Sequence, residues 1–392
     1  MLMKRHNRRV FLLAGIAAAG TVLAVAPIKK GPIIIGGSPA AAAQPRSAQP
    51  AARPALKPAQ RQSSRPAARS AQPRAAVRPG ARRAQPPKPA AAGARSTPPP
   101  PTGSPGNGPR VPYRSAIAVD ADSGRVLFAD HERTTAYPAS VTKLMTFLLV
   151  MEDVRAGLYG LSDSAAASAY AASMEPSKVG ILPGQTMTVE DLLFALMVKS
   201  ANDAAVVLAE HSAWARSGGK GPLPPDAKGR TWVDAFVARM NRRAHELGMD
   251  STRYASPNGL PPGAKEKRGF DISTAADISK LCRHVVHIPG ALKFTSCAAR
   301  TVTDGAKKPF ALGTHNYFLP GSHDKDGYAR PVPGCDGLKT GYTAASGSSI
   351  ALTASRNGHR VVVVVLGSAG RQTRETAAGN ILRDALGAVS VW

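Results

Sequence analysis

The 392 residues are 43% apolar and 19% charged, enough to close one large hydrophobic core and too apolar for a wholly disordered chain. The net charge of +26 is uneven: the first acidic residue is Asp120, and residues 1–119 hold 20 of the 51 Lys and Arg, which leaves the remainder at +6. Because that surplus lies in a Pro, Ala and Arg tract and not on a periodic face, it argues against nucleic acid as a partner. It argues instead for a tether drawn to anionic surfaces such as headgroups or wall polymers.

The first segment, residues 1–37, places a basic stretch before an uncharged run from Val10 to Ile28, closed by Lys29 and Lys30. That is the pattern of an export signal or a single membrane anchor. Small residues in SPAAAAQP, residues 38–45, would suit a signal peptidase, and Arg8-Arg9-Val10-Phe11-Leu12 reads either as a twin-arginine signal or as an ordinary basic n-region. Either way the rest of the chain is expected outside the cytoplasm, in the periplasm or on the outer face of the cytoplasmic membrane. Residues 38–111 are Ala, Pro, Arg, Gln and Ser with scarcely a large apolar side chain, the composition of a disordered basic linker. A single folded domain is expected over 112–392.

Within it, SAIAVDADSGRVLFAD, residues 115–130, predicts a β-hairpin turning at Asp122-Ser123-Gly124. Helical spacing follows over Ser140–Arg155, from Thr188 through TVEDLLFALMV, over Asp203–Ala213 and Trp232–Leu247, and from Ser273 or Thr274 through STAADISKLCRHVV. The chain closes with SSIALTASR, an Asn357-Gly358 turn, HRVVVVVLGS and a helix over about 372–387. Strands at both ends with helices between predict an α/β (α+β) fold in which one sheet joins chain-distant segments. Hydrophilic insertions stand at 217–230 and 321–327. The cysteines, Cys282, Cys297 and Cys335, show no CxxC or metal-ligand spacing, and no motif asks for a cofactor or metal. An odd count permits one internal bridge, with Cys282 and Cys297 the nearest pair in sequence.

The chemistry centres on YPASVTKLMTFLL, residues 137–149, where Lys143 lies among Val, Leu, Met and Phe. Three residues apart on a helix, Ser140 and Lys143 share a face. Pro138 suits a helix start, which would put Ser140 beside unsatisfied backbone N–H groups of the kind an oxyanion needs. A lysine acting as a base must be neutral, and apolar burial or a second cation would depress it from about 10.4. Alone, the stretch equally fits a core-helix lysine that snorkels outward. SxxK also occurs at Ser217 and Ser322 in loop-like surroundings. SxN occurs at Ser200-Ala-Asn202, Ser256-Pro-Asn258 and Ser355-Arg-Asn357, the last two in turn contexts, whereas Lys339-Thr340-Gly341 is the single KTG.

SxxK, SxN and KTG in that order are the motif set of penicillin-binding proteins and class A β-lactamases. With LPGQTMTVEDLLFALMVKSANDAA, ASPNGL and GCDGLKTGYTAASG, the sequence from about 112 to 388 resembles the D-alanyl-D-alanine carboxypeptidases, the low-molecular-mass penicillin-binding proteins. The resemblance implies a β-lactamase/DD-peptidase-like fold, an antiparallel sheet flanked by helices plus an all-helical lobe. It implies Ser140 as nucleophile toward the bond between two D-alanines of a peptidoglycan stem peptide, Lys143 as general base and Ser200 as proton relay. Asn202 would orient Lys143 and hold the peptide. Lys339 and Thr340 would meet the free carboxylate, and Gly341 and Tyr342 would line the site, with the Ser140 and Tyr342 N–H groups as oxyanion hole. β-Lactams would be inhibitors.

The sequence departs from the family in a longer interval between Ser200 and Lys339 and in AASGSS, residues 344–349. It also ends at Trp392, where many relatives continue into a small β-rich domain and an amphipathic anchor, so that any attachment is expected through the N-terminal segment. A class A β-lactamase would want a glutamate in an E-x-x-L-N setting after SxN, and none is present; a G-x-S-x-G elbow is absent too. A DD-endopeptidase on the same fold, and a wall-binding protein with a decayed site, are the remaining alternatives.

Overall fold

In the computed structural model, residues 112–263, 268–303 and 308–389 are described. The expected leader at 1–37 and linker at 38–111 lie outside them. In chain order the elements are β1 (Ser115–Asp120), β2 (Val126–Asp130), α1 (Lys143–Arg155), β3 (Ser164–Ala166), α2 (Ala169–Ala172), β4 (Thr186–Thr188) and α3 (Val189–Phe194). They continue with α4 (Asn202–Arg216), α5 (Gly229–Glu246), α6 (Ala275–Val286), α7 (Ala291–Thr295), β5 (Ala299–Thr303) and β6 (Pro309–Gly313). The last are β7 (Cys335–Thr343), β8 (Gly347–Arg356), β9 (His359–Ser368) and α8 (Arg371–Val389).

Five strands form one antiparallel sheet in the order β2-β1-β9-β8-β7, so the two ends of the domain meet at its centre, with Ile117 opposite Val364. Asp120 fixes the first hairpin by accepting from Ser123 N and Ser123 Oγ, both at 2.8 Å. Asn357 and Gly358, at φ 52° and 80°, make the β8–β9 turn as their residue types predict. The valine run of β9 explains the layering. Val361, Val363 and Val365 enter a core shared with Ala378, Leu382 and Leu386 of α8, whereas Val362, Val364 and Leu366 face a second core holding Leu144 and Phe147 of α1 and Leu281 of α6. A strand covered on both faces has no polar side to alternate. Each of these valines contributes about 1.5–3 kcal/mol by burial, and one charged replacement would strand an unpaired charge in either core.

On one side of the sheet α4 packs against α5, α1 and α2 to make the helical lobe. Thr188 and Thr274 cap α3 and α6 as expected, accepting from Asp191 N and Asp277 N at 3.1 Å. Three expectations are corrected. Helix α1 begins at Lys143, because residues Ala139–Thr142 form a tighter 3-10 turn. Helix α5 starts at Gly229, inside the stretch expected to be an insertion. All three cysteines are free: Cys282 is buried in α6 and Cys335 in β7, while Cys297 is partly exposed with its Sγ on the Ala299 carbonyl at 3.3 Å. Burial pushes the Cys335 thiol up to about 12. The short antiparallel pairs β3–β4 and β5–β6 are not legible in the sequence, since strands of three to five residues leave too little alternation to read.

Candidate active site

Ser140 lies in the 3-10 turn and Lys143 opens α1, so hydroxyl and amine face each other at 2.9 Å. The Lys143 ammonium position is fully buried. Its Nζ donates to Asn202 Oδ1 at 2.7 Å and to the Asn258 carbonyl at 2.6 Å. Both of those oxygens are acceptors only, whereas a hydroxyl can donate. A neutral amine has two hydrogens and one lone pair, so giving both hydrogens to the two carbonyls leaves the lone pair aimed at the Ser140 hydroxyl. Burial first, and then the Lys339 charge, hold Lys143 well below the ordinary lysine range against the opposing pull of Asp271 and Asp203.

The turn before the serine is tight. Ala139 has φ 49°, and Gly259 packs so closely that a Cβ on it would lie 1.9 Å from the Ala139 carbonyl oxygen. Gly259 itself sits at φ 82°, so space and conformation both require glycine there. Asp271 braces the same loop from beneath. It accepts from Ala255 N at 2.6 Å, Ser256 N and Ser256 Oγ at 2.9 Å and Thr142 Oγ1 at 3.0 Å, and Ser256 Oγ accepts from Gly259 N at 2.9 Å. With Thr146 Oγ1 donating to Pro257 O at 2.6 Å, the Asn258 carbonyl is held in place over Lys143.

The second motif follows a widened π turn, Ala195–Lys199, after α3; it ends at Ser200 in the left-handed region with φ 62°. Non-glycine residues adopt that conformation at a cost of order 1–3 kcal/mol, and such residues concentrate at functional sites. Ser200 Oγ takes a hydrogen bond from Lys339 Nζ at 2.9 Å. Asn202 Nδ2 donates to Glu175 O at 2.8 Å, which fixes the amide so that its Oδ1 meets Lys143. Asp203 accepts from the backbone N–H groups of Val179, Gly180 and Ile181, tying that bordering loop to the start of α4.

Strand β7 brings the third motif along the sheet's open edge. Gly341 crosses the turn so closely that a Cβ there would lie 2.8 Å from Pro138 O and 3.0 Å from Ser140 N. Lys339 is buried beside Ser200, and burial, followed by Arg374, lowers it to about 7. Tyr342 pairs with Ser348 of β8 and leaves its side chain 66% exposed. An edge strand keeps backbone groups free on its outer side, which is where an oxyanion donor has to be.

These elements surround a cleft of about 640 Å³. Ser140, Ser200, Asn202, Thr340, Gly341 and Tyr342 line it, and Lys143 and Lys339 lie behind its wall through the hydrogen bonds above. All eight residues expected from the sequence therefore meet at one place. Four contributors escaped sequence reasoning: the Asn258 carbonyl, Gly259, His315 and Arg374. His315 is lowered by partial burial first and then by Lys339, Lys199, Arg374 and Arg371. A signal for Arg374 was available, because an arginine in the first turn of a helix has the wrong sign for the helix dipole. Asn258 and Gly259 were read as turn chemistry, which they are: Asn258 Oδ1 accepts from Leu260 N at 3.0 Å while the carbonyl serves the site.

A five-stranded antiparallel sheet with a helical lobe, and a serine, two lysines and an asparagine meeting between them, define the penicillin-recognising serine DD-peptidase class. The chain belongs to the D-alanyl-D-alanine carboxypeptidase family, whose model matches residues 104–370. It is 30% identical over 269 residues to the D-alanyl-D-alanine carboxypeptidase DacF of Bacillus subtilis, a match covering 69% of this chain and 61% of that protein. It is 27% identical over 269 residues to a D-alanyl-D-alanine endopeptidase of Pseudomonas aeruginosa, covering 69% and 76%. Among solved structures, penicillin-binding protein D2 of Listeria monocytogenes in its ampicillin-bound form is 25% identical with a TM-score of 0.56, covering 71% of this chain and 98% of that one.

Proposed function

We propose that this protein is a serine-type D-Ala-D-Ala carboxypeptidase acting on peptidoglycan stem peptides, and that β-lactams acylate it at the same serine. The observation that carries the reading is the Lys143 amine, fully buried near a second lysine, with Ser140 Oγ at 2.9 Å and the Asn202 and Asn258 carbonyl oxygens at 2.7 and 2.6 Å. In this mechanism Ser140 Oγ attacks the carbonyl carbon of the penultimate D-alanine as Lys143 takes its proton. The N–H groups of Ser140 and Tyr342 stabilise the oxyanion. Ser200 relays to the leaving nitrogen the proton that Lys143 took from Ser140, while Lys339, donating to Ser200 Oγ at 2.9 Å, holds that hydroxyl and keeps its own proton. Free D-alanine departs, and water attacks the ester as it gives a proton to Lys143, neutral again, which passes that proton to Ser140 Oγ as the shortened peptide leaves. The substrate carboxylate lies toward Lys339, Thr340 and Arg374, where cations and a hydroxyl gather.

Cross-link cleavage is a second reading, favoured by the similarity to the Pseudomonas endopeptidase. The two differ only in what hangs from the leaving amine. The N-terminal leader supports export to the periplasm or the outer face of the cytoplasmic membrane, and the basic linker supports attachment to membrane or wall. Incubation with a muropeptide ending in D-Ala-D-Ala and, separately, with a cross-linked dimer should release D-alanine from the first and leave the second whole. Cleavage of the dimer without any release of D-alanine would replace the carboxypeptidase reading by the endopeptidase one.

A further inference from the structure

The segment GSHDKDG, residues 321–327, plays no part in the chemistry above, yet it is tied to the cleft wall through Arg371. Its flanks are anchored: Phe318 and Leu319 before it, and Ala329 and Val332 after it, are buried in the core under α8. Asp324 shapes the segment by accepting from Asp326 N at 3.1 Å and Ala329 N at 2.9 Å. The Asp324 side chain is only 1% exposed, and together with Asp326 it grips the guanidinium of Arg371, the first residue of α8. That guanidinium also lies 4.6 Å from the Tyr317 ring centre and 5.4 Å from that of Tyr328. Tyr317 and Arg371 line the cleft beside Arg374, at the end assigned to the substrate carboxylate.

The two arginines at this helix start are therefore used differently. Arg371 is neutralised by carboxylates of the insertion and stacked between two rings, which makes it a piece of wall. Arg374, beside Lys339, is held instead by its own helix and sheet: its Nη2 pairs with the buried Glu375 carboxylate and its Nη1 donates to Ser349 O at 3.4 Å. Moving Arg371 aside would separate a clamped and partly desolvated ion pair, so the wall resists widening.

We propose that residues 321–327 form a specificity wall: through Asp324, Asp326, Arg371 and Tyr317 they close the leaving-group end of the cleft, admitting a leaving residue with a one-carbon side chain and excluding one that carries a long side chain. This rests on the peptidase reading above and sharpens it, since a cross-link presents a long leaving residue and an uncross-linked stem presents D-alanine. Exclusion of this kind is built by obstruction and not by added attraction.

The test compares kcat/KM for an N-acyl-D-Ala-D-Ala peptide with that for the same peptide ending in D-Lys acylated on its side-chain amine. Two variants of different severity are used: Asp326→Ala, at an exposed carboxylate, and replacement of residues 321–327 by Gly-Gly. Labelled penicillin, which needs no long leaving group, should acylate both at the parental rate. The preference for the short substrate should fall about threefold in Asp326→Ala and about tenfold or more in the replacement, through a gain on the long substrate. An unchanged preference in variants that still take up penicillin overturns the wall and leaves the peptidase reading standing, as does a parent protein that cleaves both substrates equally. A parent protein that releases no D-alanine overturns the peptidase reading, and the wall with it.

Discussion

Helix α1 buries an ionisable side chain at each end, and the two are treated in opposite ways. Asp153, near its C-terminus, is fully buried and receives Arg216 Nε at 2.8 Å, Arg239 Nη1 at 2.7 Å, Ser212 Oγ at 2.5 Å and Tyr159 OH at 3.1 Å. Lys143, at its N-terminus, is equally buried but meets three oxygens of uncharged groups and a like charge on Lys339. Compensated burial fixes a helix in place. Uncompensated burial costs stability and yields a group forced out of its usual protonation state, which is what a base at neutral pH requires.

That contrast can be broken from either end. Lys143→Ala should lower acylation by labelled penicillin about a thousandfold or more while the melting temperature stays at or above the parental value. Asp153→Ala should do the reverse, costing about 3–5 kcal/mol in a denaturant titration because two arginines lose their partner, with normal acylation per folded molecule. Equal stability losses in both variants would erase the distinction. Gly259→Ala, which drives a Cβ into the Ala139 carbonyl, should slow acylation roughly a hundredfold by displacing Ser140.

The smallest effect is one of pH. Removing the like charge in Lys339→Met raises the Lys143 pKa, so the acid limb of the acylation profile should move to higher pH. Lys339 itself is lowered to about 7 from an ordinary value of 10.5. Between those limits the unfolded chain holds a proton that the folded one lacks, so folding stability gains from this group as pH rises from about 7 toward 10.5 and loses that gain as pH falls. Lys339→Met should flatten that part of a stability–pH curve; a curve of unchanged shape would contradict the depressed pKa.

Much of this architecture was legible because it is written in local pattern. The hairpin at 115–130, the capping threonines, the Asn357-Gly358 turn and the valine run each carry a short-range cause. The motif residues could be named because SxxK, SxN and KTG fix residue types at close spacing. What was hidden is contributed by backbone atoms or by convergence across the chain. The Asn258 carbonyl has no residue-type signature, and nothing in NGL announces that 115 residues earlier a lysine will donate to it. Likewise Arg371 and Asp324 lie 47 residues apart, and only the folded chain makes one of them the clamp of the other. The tight turn at Ala139 is packed against Gly259, a close approach between segments far apart in the chain that the local sequence does not announce.

The central claim is that Ser140 is the nucleophile and that the buried amine of Lys143 makes it one. The most direct measurement is mass analysis of the peptide containing residues 137–149 after brief exposure of the purified protein to penicillin at neutral pH. The account predicts a covalent penicilloyl adduct on Ser140 in the parent protein, none in Ser140→Ala, and almost none in Lys143→Ala. An adduct on another residue, or undiminished labelling of Lys143→Ala, would contradict it.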